Sequence, residues 1–540
     1  MKADLTRSSF DPLKHFSSVL MQQGRVQLDA DWNEQVAILL HQMRALITDA
    51  FPNGAGSGFT IAPIVTATKT VAGDIAIGAG HFWVEGILCE VESTPVGVTV
   101  SGDKQIQVAA WTVDGVAFAK DQYVQVTGDT SAATPPATTS LTAKIADLDH
   151  ATSTLTLDAS IPAKLQKATN VRVQRLVTYA SQPGLPQPPP LDFGKNFQLY
   201  LDVWERLITS LEDDSIREVA LNGPDTAART QVVWQIRATP FAQASTDKAN
   251  AGLTQASCMT SHALEAMLDP VNAGMMRAQT QPGQVSTDPC TISPDSQYRG
   301  PENQLYRVEI HAGTVKGSDS KVTFKWSREN GSVVFPILGF ATTSGTNVTQ
   351  VTLGSLGRDD RFSLQPDDYV EIQDDRSVLA NTPGPLLQVQ SVDRATMTVL
   401  LNGAVPGTLG SDVTLHPLLR RWDQKAGDPA AGGVELAAGA VSLVTDRWLN
   451  LEDGVQVQFP GAGSPTFRSG DYWLVPARVA TGDVIWPRES WKDNSGAVNT
   501  APVAKPPDGV QHYYAPLALL ALDGAGAPTV TPCRPPIKGQ

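Results

Sequence analysis

Tyr123-Val124-Gln125-Val126 opens a run that continues through Ile145, Asp149, Ala151-Thr152, Thr154, Ile161-Pro162 and Val171. Tyr369-Val370-Glu371-Ile372 opens a second, through Val389, Asp393, Ala395-Thr396, Thr398, Val405-Pro406 and Val413, at nearly the same spacings. Alternating Val, Ile and Thr with a period of two is the pattern of a half-buried strand. An Asp just ahead of Ala-Thr is turn chemistry, because its carboxylate can accept from backbone amides two residues on. Each run therefore reads strand, loop, strand, Asp-x-Ala-Thr turn, strand, Pro, strand: one small antiparallel barrel used twice, over 117–180 and 362–420. The alternative, two unrelated β modules sharing Val and Thr alternation, does not require the Asp-x-Ala-Thr-x-Thr and apolar-Pro offsets to agree.

Outward from these runs the chain stays β-like. HFWVEGILCEVE (81–92), QLYLDVWERLI (198–208), QVVWQIRA (231–238), LYRVEIHAG (305–313) and KVTFKWS (321–327) are short β-branched and aromatic runs set between Gly, Pro and Asp. The fold class that follows is mainly β and multidomain, as 540 residues demand. The segments are a β segment at 59–116, the first barrel, a central β domain at 181–361 with a polar insertion at 243–300, the second barrel, and a C-terminal β domain with a tail at 421–540. A short helical piece is expected around His262 to Leu268. The Pro-rich stretch SQPGLPQPPP (181–190) marks a stiff connection.

The N-terminus reads differently. In FDPLKHFSSVLMQQG, Asp11 can cap a helix, Pro12 suits its first position and Gly24 its left-handed end, with Leu13, Phe16 and Leu20 on one face. A second helix starts at an Asp31-x-x-Glu34 capping box and carries Trp32, Val36, Leu39, Leu40, Met43 and Ile47 at helical spacing. Residues 1–58 thus read as a helical hairpin followed by a flexible hinge, Gly54 to Gly58. Such a hairpin can insert Phe16, Leu20, Trp32 and Val36 into a partner's groove, or bury them on its own β domains.

The chain carries 41 Lys+Arg against 55 Asp+Glu, a net charge of -14, which disfavours a nucleic-acid partner. No apolar run reaches the roughly 18 residues of a membrane span, and the polar start Met-Lys-Ala-Asp-Leu-Thr-Arg reads as no secretory signal, so a cytoplasmic protein is expected. The cysteines, Cys89, Cys258, Cys290 and Cys533, form no C-x-x-C pair; they default to buried thiols, with a Cys258–Cys290 bridge as the alternative.

Catalytic motifs are missing. G-x-x-x-x-G-K, G-x-S-x-G and H-E-x-x-H do not occur. Gly54-Ala-Gly56-Ser-Gly58 opens no helix to hold a pyrophosphate, and Asp29-Ala-Asp31-Trp-Asn33 lacks the glycine and distal Glu of a calcium loop. The doublets at Glu212-Asp213-Asp214, Asp359-Asp360 and Asp374-Asp375 read as solvated turns, since adjacent residues on a strand face opposite ways. His311 and His512 lie beside strand-like sequence and read as structural. Trp83, Trp204, Trp234, Trp326, Trp448 and Trp473 fall in alternating runs, as core or as a row for stacking on sugar rings. Neither catalytic, cofactor nor metal residues are assigned, and a non-enzymatic protein is expected.

Several segments nevertheless carry a resemblance. MKADLTRSSFDPLKHFSSVLMQQGRVQLDADWNEQ (1–35), LYLDVWERLITSLEDDSIREVALNGPDTAARTQVVWQIR (199–237), YRGPENQLYRVEIHAG (298–313), FKWSRENGSVV (324–334), FRSGDYWLVPARVATGDVIWP (467–487) and HYYAPLALL (512–520) resemble a bacterial family encoded among phage-tail-like and contractile injection system genes, near baseplate components. The resemblance spans almost the whole chain. It implies a structural or adaptor part of a tail-like particle, at a baseplate, fibre or accessory position. Such a part is assembled in the cytoplasm, as an oligomer among other particle components, into a particle that can be released outside the cell. It brings no catalytic residues. The rival function is a glycan-binding or glycan-cleaving fibre or effector.

Overall fold

The computed structural model describes residues 1–51, 54–131, 137–241, 258, 272–281, 297–315, 321–342, 348–428, 433–522 and 528–533. Cys290 and the helical piece expected at His262–Leu268 lie outside them. The chain divides into two compact units. One comprises Met1–Gln42, Glu205–Gln231 and Asp269–Gln511, the other Met43–Trp204, Val232–Leu268 and His512–Gln540.

Each unit holds one closed six-stranded barrel. The first is built from Val96–Val100, Gln105–Val108, Tyr123–Asp129, Thr138–Asp149, Thr154–Leu157 and Thr169–Arg175. The second uses Val334–Thr342, Val348–Leu353, Tyr369–Gln373, Leu386–Asp393, Thr398–Asn402 and Leu418–Trp422. Taken in chain order, the strands of both run round the barrel as 1-2-5-4-3-6. The likeness extends to detail. A register shift falls between Ile145 and Asp147 in one fourth strand and between Val389 and Ser391 in the other. The residue inside each Ala-Thr-x-Thr, Ser153 or Met397, is left-handed, with φ of 53° and 56°. The barrel is therefore duplicated, and each copy includes two strands ahead of its Tyr-Val run.

One pairing from the sequence slips. Arg175 pairs with Val124 and Arg421 with Val370, so Val171 is matched by Pro417, not Val413. Val413 stands exposed in a 3-10 turn, Val413–Leu415, because the last connection is longer in the second copy.

Around the first barrel's unit, Asn196–Ile208 pairs with Tyr513–Leu522, which pairs in turn with Pro528–Pro532. Leu199, Leu201, Val203, Ile236 and Leu520 form its core with Phe59 and Trp234, whose rings meet edge to face at 5.0 Å. Gly54 to Gly58 is no hinge. Ala55–Gly56 pairs with Gly80–Val84, and a Cβ on Gly56 would sit 2.1 Å from the His81 carbonyl oxygen. These glycines admit a close backbone approach. Cys258 bonds to Cys533, 275 residues away, with Cα atoms 5.4 Å apart, so it is not available to Cys290. Sequence spacing could not find this pair because the strand ending at Pro532 brings Cys533 in from the far end of the chain.

In the other unit a six-stranded sheet is centred on Gln304–Ala312, flanked by Thr323–Ser327 and Tyr472–Arg478. Its side chains alternate between two environments. Tyr306, Val308, Ile310, Phe324, Trp326, Trp473 and Val475 face an apolar core completed by Val455, Val457 and Phe459. Arg307, Glu309, Lys325 and Tyr472 take the other parity.

The N-terminus holds one α-helix, Asp29–Ala50, where the sequence pointed to a hairpin of two. Asp11 does cap and Pro12 does start a turn, but it is a single 3-10 turn, Pro12–Lys14, closed by left-handed His15 at φ 53°. Farther on, the Val19 amide donates to the Gln35 side chain at 2.7 Å. Gly24 is left-handed, as expected, but in a tight turn where Arg25 N–H reaches Gln22 O. The real helix begins two residues ahead of the expected capping box, and the Glu34 carboxylate accepts from Ser9 Oγ at 2.5 Å. Among the described residues no helix is long and apolar enough to cross a membrane.

Candidate functional site

The N-terminal arm, residues 1–51, combines a tight anchor with an unburied apolar surface. On the helix only Ala30 and Ile38 are buried. Trp32 is 73% exposed, and Val36, Leu39, Leu40, Met43 and Leu46 are exposed with it. The segment before the helix adds Leu13, Phe16, Met21 and Val26, and Leu20 at 83%. The four side chains singled out for docking, Phe16, Leu20, Trp32 and Val36, thus all face solvent, on a helix and on the non-helical segment ahead of it. Contiguous exposed apolar side chains are uncommon on the surface of a folded protein.

The anchor sits in the unit that holds the six-stranded sheet. The Lys2 ammonium lies 3.1 Å from Glu309, which also takes Arg307 at 2.6 Å and Lys325 at 3.3 Å. Lys325 reaches Glu371 of the second barrel at 2.6 Å, and Glu371 accepts in addition from Trp422 Nε1 at 2.9 Å and Gly384 N–H at 3.0 Å. Lys325 stands 4.6 Å from the Trp422 ring centre and Arg307 3.5 Å from that of Tyr472. Backbone contacts complete the clamp: Asn330 Nδ2 donates to Met1 O and Ala3 O, at 2.9 and 2.8 Å, and Arg478 donates to Thr6 O at 2.8 Å. Thr6 in turn donates through its amide and hydroxyl to Asp29, at 3.0 and 2.6 Å, fixing the first turn of the helix.

In this cluster two carboxylates hold three cations. Burial alone would raise the Glu309 carboxyl, but Lys2, Arg307 and Lys325 outweigh it and hold the group well below the usual range. Glu371 is also lowered, against burial, chiefly by Lys325 and Lys2. Lys2 is pulled down to about 8 by burial, with Glu309 opposing. Two glutamates flanking one lysine resemble a glycosidase pair in outline. Both carboxyls are lowered, however, the opposite of the raised carboxyl that a general acid uses. The sequence reading missed this cluster. Its signal was a charge at every second position, Arg307-x-Glu309, within a strand that is otherwise aromatic and aliphatic.

The other candidates resolve into structure. Glu212 accepts from the Thr209 amide and hydroxyl, Asp213 caps the turn Asp214–Ile216, and Asp359 accepts from Phe362 N–H. Asp374 caps Asp375–Leu379 with a full capping box, and Asp375 binds Arg206 and His416. His512 lies 2.6 Å from Asp202, which also pairs with Arg237. Trp204, Trp234, Trp326 and Trp473 are buried, and Trp83 and Trp448 half-buried. His311 lines a cleft of 560 Å³ with Thr314, Asn381, Phe467, Arg468 and Ser469. Burial pulls its imidazole down to about 4, and its Nδ1 has no hydrogen-bond partner. Among the described residues, His, Cys, Asp and Glu form no group of three able to hold a metal ion.

Fold and surface together define a class: a modular double-barrel protein with an anchored, apolar N-terminal arm. The chain belongs to a family described as a family of unknown function (DUF6519), whose profile it matches over residues 1–119, 192–272 and 239–534. No curated protein matches it, and no solved structure does.

Proposed function

We propose that this protein is a non-enzymatic structural or adaptor component of a phage-tail-like contractile injection particle, docking on other components through its N-terminal arm. The observation that carries the reading is the arm itself. A chain that ties Lys2 into a buried ion cluster, and holds Asp29 and Glu34 by hydrogen bonds, has fixed the arm in place while leaving Phe16, Leu20, Trp32 and Val36 unburied. Burying each such side chain on a partner is worth roughly 1.5 to 3 kcal/mol. The resemblance of residues 1–35 and 199–237 to proteins encoded beside baseplate genes supplies the setting, with synthesis and assembly in the cytoplasm. The acidic doublets, occupied as caps and ion pairs, support a non-catalytic role.

The glycan-binding alternative asks for a row of exposed ring faces. Trp204, Trp234, Trp326 and Trp473 are instead core residues, Trp83 and Trp448 are half-buried, and among the described residues the exposed ones, Trp32 and Trp491, lie far apart in sequence.

Deleting the arm is a poor test, since it would strip Lys2 from Glu309. The double substitution Phe16→Glu/Leu20→Glu touches only exposed positions and should leave thermal unfolding unchanged. It should abolish co-sedimentation of the protein with tail-like particles from its native host. Undiminished co-sedimentation would remove the arm from the interface, and wild-type protein absent from such particles would overturn the assignment.

A further inference from the structure

The helix Asp29–Ala50 carries an apolar pattern that stays exposed. Trp32, Val36, Leu39, Met43, Leu46 and Ala50 follow one another at intervals of four, three, four, three and four residues. That is the a/d spacing of a heptad repeat, the stripe by which one helix winds against another. The two residues the helix does bury, Ala30 and Ile38, fall outside this seam, and every member of the seam is solvent-exposed. We propose that the seam pairs with the same seam of a second copy of this chain, in antiparallel order. The proposal rests on the assembly reading above and names one partner of that arm.

Two features select a second copy over another occupant. The first is volume. Laid antiparallel about a two-fold axis, Trp32 meets Ala50, Val36 meets Leu46, and Leu39 meets Met43 of the other helix, so each layer joins a larger side chain to a complementary one. Parallel pairing would stack Trp32 on Trp32 and Ala50 on Ala50, overfilling one end and leaving a void at the other. The second is charge. The chain as a whole is at -14, which opposes self-association. Along the seam's flanks, however, stand Asn33, Gln35, Leu40, Gln42 and Ile47, with no charge before Asp49. Identical helices can therefore approach without a facing row of like charges. Phe16 and Leu20, ahead of the helix, remain available for other components.

The test uses the full chain. Light scattering on the wild type should give a mass about twice that of one 57.5 kDa chain. Leu39→Glu/Leu46→Glu should weaken self-association by ~100-fold or more, leaving a monomer with an unchanged unfolding temperature. Phe16→Glu/Leu20→Glu should leave the dimer intact. Orientation follows from oxidative cross-linking in a Cys290→Ser background, where Leu39→Cys chains should link to Met43→Cys chains and not to one another. A monomeric wild type, or a dimer that survives Leu39→Glu/Leu46→Glu, overturns the pairing. Leu39→Cys chains linking to themselves overturn its direction. The outcomes separate the two readings: a monomer that still joins particles refutes the pairing alone, and a seam-dependent dimer absent from particles refutes the assembly role alone.

Discussion

Lys325 Nζ lies 2.6 Å from Glu371 Oε2, and both side chains are almost wholly buried. A strand of the six-stranded sheet is thereby joined by charge to the third strand of the second barrel. In the first barrel the place of Glu371 is taken by Gln125, two residues after the matching Tyr123, and it is only half-buried. The duplicated barrel has thus been specialised in one copy for docking within its unit.

Removing one partner of a buried ion pair costs more than the pair contributes, because the other charge stays behind without it. Glu371→Gln should destabilise the protein by about 3 kcal/mol, since Lys325 would retain only Glu309, which already serves Lys2 and Arg307. The double change Glu371→Gln/Lys325→Met should cost less than the single. Urea unfolding followed by tryptophan fluorescence measures both, and a silent single variant would show the cluster to be solvated in solution.

Acid should weaken the native state in two stages. His311 is held down to about 4 against an ordinary value of 6.5, so between those pH values the unfolded chain takes up a proton that the folded chain refuses. Stability contributed by neutral His311 is therefore complete above 6.5 and falls as pH drops toward 4, by up to about 3 kcal/mol. Glu309 acts lower, because its depressed carboxyl gives stability that is complete above about 4.5 and lost as pH falls through its folded value. His311→Gln should flatten the drop in unfolding midpoint between pH 6.5 and 5 and leave the steeper loss below 4.5. Equal slopes for variant and wild type would assign the first stage to another group.

The turns at Asp149 and Asp393 should answer alike to the same change. Each carboxylate accepts from the amide two residues on, at 2.9 Å in both copies, and each is lowered first by its Thr hydroxyl, Thr152 or Thr396. Asp149→Ala and Asp393→Ala should each lower the melting temperature, with Asn restoring most of it. Faster amide exchange should appear in the altered turn alone. If one substitution acts and the other is silent, the two turns are alike in geometry but not in what they hold together.

These turns also show what was legible. Asx chemistry is local: a carboxylate and the amides two and three residues on suffice, so Asp-x-Ala-Thr-x-Thr could be found in both copies from the chain alone. The two leading strands of each barrel, Val96–Val100 with Gln105–Val108 and Val334–Thr342 with Val348–Leu353, pair across the barrel with strands about 50 to 85 residues later, and no local signal ties them to it. The first helix failed because a cap and a proline start a turn, while continuing it needs an apolar face with something to bury against, and Leu13, Phe16 and Leu20 have nothing. The glycines at 54 to 58 were legible as glycines but not as a paired edge, since freedom to bend and freedom from a Cβ look the same in sequence. For the arm, the residues were legible and their exposure was not.

The Cys258–Cys533 bond makes the last prediction. It ties two segments 275 residues apart, and Cys533 sits beside Leu517, whose carbonyl accepts its amide at 2.9 Å, at the edge of the sheet formed by Tyr513–Leu522. A cross-link across so long a loop restricts the unfolded chain most, by about 5 kcal/mol in the chain-entropy account. Reduction should therefore lower the unfolding temperature of wild-type protein, and Cys533→Ser should reproduce the shift and abolish any further response to reductant. Cys89 offers the internal control. It is buried, and burial pushes its thiol up to about 12, so it should stay unlabelled by a maleimide until the protein unfolds. In a Cys290→Ser background, oxidised native protein should take up no label and the denatured protein one equivalent, with a non-reduced digest yielding one peptide pair that spans Cys258 and Cys533. Two further equivalents on denaturation would mean that the bond does not form in the protein as made.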